Sequence, residues 1–177
     1  VIGIMMVMFS KKDKKKDIGT ILVSFSILMT GMDIMSDAVA GLKDNAAFTS
    51  LFTMFSNPIL GLLAGALLTA AIQSSSASVG ILQALCSTGA ITYSSALPII
   101  LGQNIGTCVT ALISSIGVNR NAKRVSVVHI SFNVVGTAVC LILFYGGNAI
   151  FNFAFMAQTI NPFMIALCHS IFNVFTT

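Results

Sequence analysis

Between Asn45 and Asn119 the chain contains no Asp, Glu, Lys or Arg. A soluble domain carries about 25% charged residues, so a run of this length without a single charge cannot supply a water-facing surface. It belongs inside a membrane. The composition agrees, with 56% hydrophobic and 8% charged residues, a mean hydropathy of +0.96 and neither Glu nor Trp. These properties in 177 residues predict one compact all-α membrane domain of a few spans embedded in a lipid bilayer. The net charge of +4 comes mainly from two short basic clusters without interleaved aromatics. Such clusters report topology and give no reason to expect a nucleic-acid partner.

Inside the uncharged stretch, Ala71-Ile-Gln-Ser-Ser-Ser-Ala-Ser-Val79 sets a glutamine and four hydroxyls among apolar residues. At membrane depth, polar non-helical backbone survives only when buried in protein or facing a water-filled cavity. Gln73, Ser74, Ser75, Ser76 and Ser78 are therefore expected to line a site for a hydrophilic solute. The flanking apolar arms, Pro58–Ile72 and Val79–Ile91, have 15 and 13 residues. Each covers about 20 Å as a helix, against a hydrocarbon core of about 30 Å. Two half-length arms around a polar tip predict a re-entrant hairpin over 58–91 that enters and leaves the membrane on one side.

The next segment, 94–117, predicts a discontinuous helix. Apolar runs Ser94–Leu101 and Thr107–Gly117 flank Gly102-Gln-Asn-Ile-Gly106, where glycine backbone freedom and amide side chains favour a break. Short or Gly-interrupted segments point to the midplane site of a transporter, and here two occur in succession. Ahead of them, Lys11-Lys-Asp-Lys-Lys-Lys-Asp17 reads as a cytoplasmic loop and 18–39 as a span. Asp33 and Asp37 share a helical face near its far end, as an interfacial pair or a cation site. Gly41 to Asn57 forms the opposite-side connection. Val118-Asn-Arg-Asn-Ala-Lys-Arg124 makes a second cytoplasmic loop, 125–146 the next span, 148–161 a connection or interfacial piece, and 162–177 the start of a last span. One crossing, a hairpin and one further crossing return the chain to its starting side, so the two basic loops agree with the hairpin.

Cys86, Cys108, Cys140 and Cys168 sit in apolar sequence without paired spacing and read as free thiols packed as small hydrophobes. His129-Ile-Ser-Phe-Asn133 and His169-Ser-Ile-Phe-Asn173 place His and Asn on one helix face, for interhelical hydrogen bonds or for a polar path. Val1 to Ser10 is apolar, lacks an initiator Met and is half the length of a span. It is expected to be the cut end of a longer segment, and the chain a fragment.

Gln73-Ser-Ser-Ser-Ala77, then Gly102-Gln-Asn-Ile-Gly-Thr107, then the basic loop Asn119-Arg-Asn-Ala-Lys-Arg124 and the His-x-x-x-Asn span follow in order. Together they resemble the type II sodium/phosphate cotransporter family, its bacterial branch most, over nearly the whole chain. The resemblance implies two inverted repeats, each with its own Gln-Ser-Ser-Ser hairpin. This chain holds one hairpin and is similar to the second repeat, so a missing first repeat becomes an expected partner. It also implies a multi-pass protein of the cell membrane, in a bacterial inner membrane, that carries inorganic phosphate with sodium and is not an enzyme. The chain departs from the usual Gly-Ala-Asn-Ile-Gly-Thr-Thr at Gln103 and Cys108.

The residue chemistry fits an oxyanion carried with a cation. Helix N-termini offer unpaired N–H groups and partial positive charge, and both the second hairpin arm and the segment from Thr107 are expected to start at polar breaks. Gln73, Ser74, Ser75, Ser76, Asn104 and Thr107 are the expected substrate-binding residues. No Lys or Arg is close in sequence, so Na⁺ as coupling ion complements the anion, held by Gln73, Ser76, Asn104 and Thr107 oxygens with carbonyls at the helix breaks. No other cofactor is expected. A serine-nucleophile enzyme needs a base and its orienter, and the segments of His129 and His169 contain no carboxylate. The remaining alternatives are a non-transporting membrane scaffold, a transporter of another small anion, and a homodimer of oppositely oriented copies. The like-signed basic loops oppose the dimer.

Overall fold

The computed structural model describes residues 1–117 and 119–176, apart from the side chains of Lys43 and Thr49. Val118 of the second basic loop, Thr177 at the end of the last expected span and the Lys43 side chain lie outside the described residues. The described chain is helical, and its one β-type contact is an isolated bridge between Thr92 and Thr159. Its helices are α1 (Ile2–Phe9), α2 (Asp13–Ala40), α3 (Ala46–Met54), α4 (Pro58–Ile72), α5 (Ser75–Cys86), α6 (Tyr93–Ser114), α7 (Arg120–Leu141), α8 (Gly147–Phe151) and α9 (Pro162–Thr176). Short 3₁₀ turns at Gly41–Asp44 and Ala154–Ala157 and a π turn at Ile142–Gly146 complete it.

Residues 1–38 form one compact unit and 39–177 another. In the first, α1 folds back on α2 where Gly3 and Gly19 meet. A Cβ on either would lie 2.8 Å from the other's carbonyl oxygen, so only glycine admits this crossing. The basic run expected as a loop is mostly helix, because α2 begins at Asp13 and only Ser10 to Lys12 connect it to α1. At 28 residues α2 is longer than the hydrocarbon core requires, and Ile21, Phe25 and Leu28 are exposed along it. Thr20 and Thr30, both exposed on α2, donate their hydroxyls to the Lys16 and Ser26 carbonyls, which satisfies them without water. Asp33 and Asp37 are both exposed.

The second unit is built on α4 and α6. Asn57 caps α4, its Oδ1 accepting from Ile59 N–H at 3.0 Å, and Pro58 occupies the first helical position, where no amide donor is needed. The two helices run parallel, since Gly61 lies against Pro98, Gly65 against Ile99, Gly102 against Leu62 and Gly106 against Ala66 and Thr69. A Cβ at Gly65 or Gly102 would come within 2.1 or 2.0 Å of a backbone oxygen on the other helix. The backbones are therefore in direct contact, the close approach that small residues permit between membrane helices. This overturns the expected discontinuity at 94–117. α6 runs unbroken through Gly102 and Gly106, because these glycines serve the approach of α4 and not a change of backbone direction.

Within α6, Pro98 has no N–H to offer the Ser94 carbonyl. The Tyr145 hydroxyl, carried on the π turn after α7, donates to that carbonyl instead. α7 thus runs antiparallel to α6, and the helix continues through α8 to Phe151, past the expected end at 146. Residues 148–151 belong to this helix and not to a connection. The chain then returns to the start of α6, where Tyr93 N–H bonds Gln158 O and Ile160 N–H bonds Ile91 O. Likewise 41–57 contains α3, whose Phe52 joins Leu82, Ile91, Ala96, Ile99, Ile160 and Ile165 in the core. Among the described residues, three helical segments, 13–40, 93–114 and 120–151, are each long and apolar enough to cross a membrane.

Candidate functional site

α4 ends where Gln73 turns left-handed (φ 57°, ψ 25°) and Ser74 extends (φ −140°, ψ 109°). Gln73 N–H still reaches the Thr69 carbonyl at 2.7 Å, closing the last turn of α4. Ser74 then caps α5, its Oγ accepting from Ala77 N–H at 3.3 Å and lying 3.3 Å from Ser76 Oγ. Two residues thus reverse the chain. A left-handed non-glycine residue is uncommon, and here it directs the start of α5 away from the path of α4.

Both arms have their outer ends beside the start of α6. Ser56, next to α4, lies 3.5 Å from Ser94 Oγ, and Cys86, at the end of α5, donates to the Ile160 carbonyl near Ile91. With Thr69 opposite Gly106, the tip lies about level with Thr110, about 25 Å along α6 at 1.5 Å per residue. At the tip Gln73 and Ser76 are exposed and Ser74 and Ser75 half-buried. The first-turn N–H groups of α5 open onto the same place, and α5 contributes the positive end of its dipole.

The other expected site residues divide. Ser78 does not line the tip, because it is fully buried and holds Thr69 Oγ1 at 2.8 Å on its hydroxyl. Asn104 is buried and donates Nδ2 to the Ile100 carbonyl at 2.9 Å, while half-buried Thr107 donates to the Asn104 carbonyl at 2.6 Å. Neither is hydrogen-bonded to Gln73, Ser74, Ser75 or Ser76 among the described residues. Since α6 is unbroken, no helix begins at Thr107, and the second anion-binding N-terminus expected there is absent from it. Cys108 is buried, its Sγ 3.7 Å from the Asn104 carbonyl. All four cysteines are free.

Sequence reasoning missed Thr69, and saw Gln103 as a break-forming amide. Both are fully buried between α4, α5 and α6, with Gln103 Nε2 donating to the Ser78 carbonyl at 3.0 Å. The signal was the four-residue spacing Gly61, Gly65, Thr69 on α4 and Gly102, Gly106 on α6, a small-residue face for each helix. The hydrogen bonds between the His and Asn of each pair run within their own helices. Asn133 and Asn173 each donate to the carbonyl of the His four residues earlier, and the Asn173 amide also lies 3.3 Å from His169 Nε2.

An all-helical chain with apolar spans and a polar hairpin tip defines a membrane protein, and residues 27–166 match the family described as Na⁺/Pi-cotransporter. The chain belongs to that family. Its relatives include the uncharacterised protein YqeW of Bacillus subtilis, 33% identical over 71% of this chain and 41% of YqeW. Sodium-dependent phosphate transport protein 2A of Rattus norvegicus is 38% identical over 67% of this chain and 19% of its own. Sodium-dependent phosphate transport protein 2B of Homo sapiens is 37% identical over 62% and 17%. The chain thus spans less than half the length of these relatives. No solved structure gives a significant match. Members of the family are transporters and not enzymes, which sets aside the serine-nucleophile alternative.

Proposed function

We propose that this chain supplies one half of a sodium-coupled carrier of inorganic phosphate, with the anion bound at the α4–α5 tip. The observation that carries the reading is the tip itself. Gln73, Ser74, Ser75 and Ser76 are gathered at a helix N-terminus, Gln73 and Ser76 exposed and Ser74 and Ser75 half-buried, in a stretch without any charged residue. Hydroxyl and amide donors with first-turn N–H groups suit a phosphate oxyanion. The membership of the family supports phosphate and sodium as the solutes.

Na⁺ is the cation that balances the anion. It is a hard ion that takes oxygen ligands, and Gln73 and Ser76 present such oxygens at the tip. On α6, Asn104 uses its amide N–H on its own helix and keeps its side-chain oxygen as an acceptor, and Thr107 Oγ1 keeps its lone pairs. With α6 continuous, no carbonyls are freed by a break within it, so on α6 these side chains carry the cation role. A hairpin whose two arms start and end at one level follows a re-entrant course in the bilayer of a bacterial inner membrane. The opposite wall of the site comes from the other inverted repeat, since transporter sites lie at such interfaces.

The test is uptake of radiolabelled phosphate by liposomes containing the full-length parent protein, with and without an inward Na⁺ gradient. Uptake is expected to require Na⁺. Ser75→Ala is expected to weaken apparent phosphate affinity about 5-fold to over 100-fold, the loss of one hydrogen bond to a charged group. Ser26→Ala and Ser131→Ala, in ordinary spans, are expected to leave it unchanged. Equal tolerance at all three positions removes the anion from the tip, and competition by sulfate in place of phosphate names another anion.

A further inference from the structure

Beneath the tip, three polar side chains are sealed between α4, α5 and α6. Thr69 Oγ1 donates to Ser78 Oγ at 2.8 Å and Gln103 Nε2 donates to the Ser78 carbonyl at 3.0 Å, and all three residues are 0% exposed. The cluster is tied to both residues of the reversal. Thr69 O accepts the Gln73 N–H, and Ser78 N–H bonds Ser74 O at 3.0 Å. It therefore reaches the tip from the α4 side and from the α5 side, with Gln103 as its anchor on α6.

We propose that Gln103 is a positioning residue for anion binding: by holding the Ser78 carbonyl it sets the rotation and depth of α5 on α6, and with them the aim of Ser74, Ser75 and Ser76. The proposal rests on the reading of the tip as the anion site. Its energetics separate orientation from stability. Gln103 Oε1 has no hydrogen-bond partner although the side chain is fully buried. Turning the amide over would set Oε1 against the Ser78 carbonyl, two acceptors face to face, so the orientation is determined. A buried acceptor without a donor costs more than one neutral hydrogen bond returns. An unbranched apolar residue such as Met would fill the space without that cost. What the amide adds is direction, one donor aimed at one carbonyl, which an apolar side chain cannot give.

The α4 and α6 backbones in contact make α6 a rigid reference for this bond. α5 has no such glycine contact with α6, because a Cβ at Gly80 would meet nothing within 4 Å. Its placement near the tip depends on side chains, and the polar ones that reach it there are Thr69 and Gln103.

The experiment uses the full-length parent in liposomes and inorganic phosphate as substrate. Gln103→Met and Thr69→Val are each expected to raise KM for phosphate roughly 3- to 20-fold, the effect of losing one aligned hydrogen bond or its orienting partner. The double variant should raise it by less than the product of the two, because both act through Ser78. Gln103→Met should leave the unfolding temperature in detergent unchanged or raised. KM does not depend on how much carrier is folded, so a purely structural role would lower Vmax and leave KM alone. Unchanged KM in both variants, or failure of both to fold, overturns the proposal. If Ser75→Ala raises KM while the two cluster variants do not, Gln103 loses its role and the tip keeps its own. If the wild type takes up no phosphate, both readings fall.

Discussion

Glycine in this chain acts through contact and only occasionally through its own dihedral freedom. Gly65, Gly102 and Gly106 have ordinary helical backbones, and a methyl group on any of them would strike the backbone of the facing helix. Gly31, in α2, has nothing within 4 Å of such a methyl. The two positions should respond oppositely to alanine. Gly102→Ala has to push α4 and α6 apart and should destabilise the protein by about 1 to 3 kcal/mol, the cost of overpacking. Gly31→Ala should be neutral or stabilise by up to about 1 kcal/mol, the difference in helix propensity. Thermal unfolding of the detergent-solubilised protein measures both, and a Gly102→Ala variant as stable as the wild type would show that the helices do not touch there. The tip residues follow a different rule. Gln73 is left-handed without being glycine, held by its N–H to Thr69 and by the cap that Ser74 provides to α5.

At the scale of elements, hairpin and span are told apart by where their ends lie. α4 and α5 together contain enough residues for one full crossing, yet the outer ends of both sit beside the start of α6. On the re-entrant course proposed above, the basic residues near positions 14 and 121 are expected to face the same compartment. In a cysteine-free background, Lys14→Cys and Asn121→Cys should resist an impermeant thiol reagent applied to intact cells, while Ala46→Cys reacts. Labelling of 14 and 121 from opposite sides would mean that the segment 58–91 crosses the membrane once. The π turn at Ile142–Gly146 shows a second kind of coupling between elements. Pro98 frees a carbonyl on α6, and the turn carries Tyr145 to the place where its hydroxyl satisfies that carbonyl.

For the molecule as a whole, the proposed anion site at the tip is an open one. Gln73 and Ser76 are exposed, and among the described residues α6 adds no hydrogen bond to them. A desolvated anion site needs enclosure, which in the proposed arrangement comes from the other repeat. The 177-residue chain expressed alone should therefore insert into membranes and show no saturable phosphate uptake. Co-expression with the remainder of the parent should restore it. Sodium-driven uptake by the purified chain alone would remove the need for a second repeat, and crosslinks between oppositely oriented copies would assign the second wall to a dimer.

The amino-acid sequence by itself determined the membrane setting, the helical class, the family and the polar tip, because each rests on composition or on residues adjacent in the chain. The absence of charge from Asn45 to Asn119 admits no soluble surface, and a cluster of hydroxyls between two short apolar arms marks a reversal. Gly102-Gln-Asn-Ile-Gly106 shows where this reasoning stops. As a local pattern it predicts a break, since nothing in the segment reveals that Leu62 and Ala66 lie against its glycines or that Ser78 offers a carbonyl to Gln103. Tertiary contact alone decided that α6 runs straight through, that Ser78 leaves the site for the buried cluster, and that Thr69 enters it. The physical reason is that a glycine permits both a bend and a close approach, and an amide can satisfy a broken helix or a neighbouring one. The partner that chooses between these uses lies 25 to 40 residues away in the chain, beyond the reach of any local pattern.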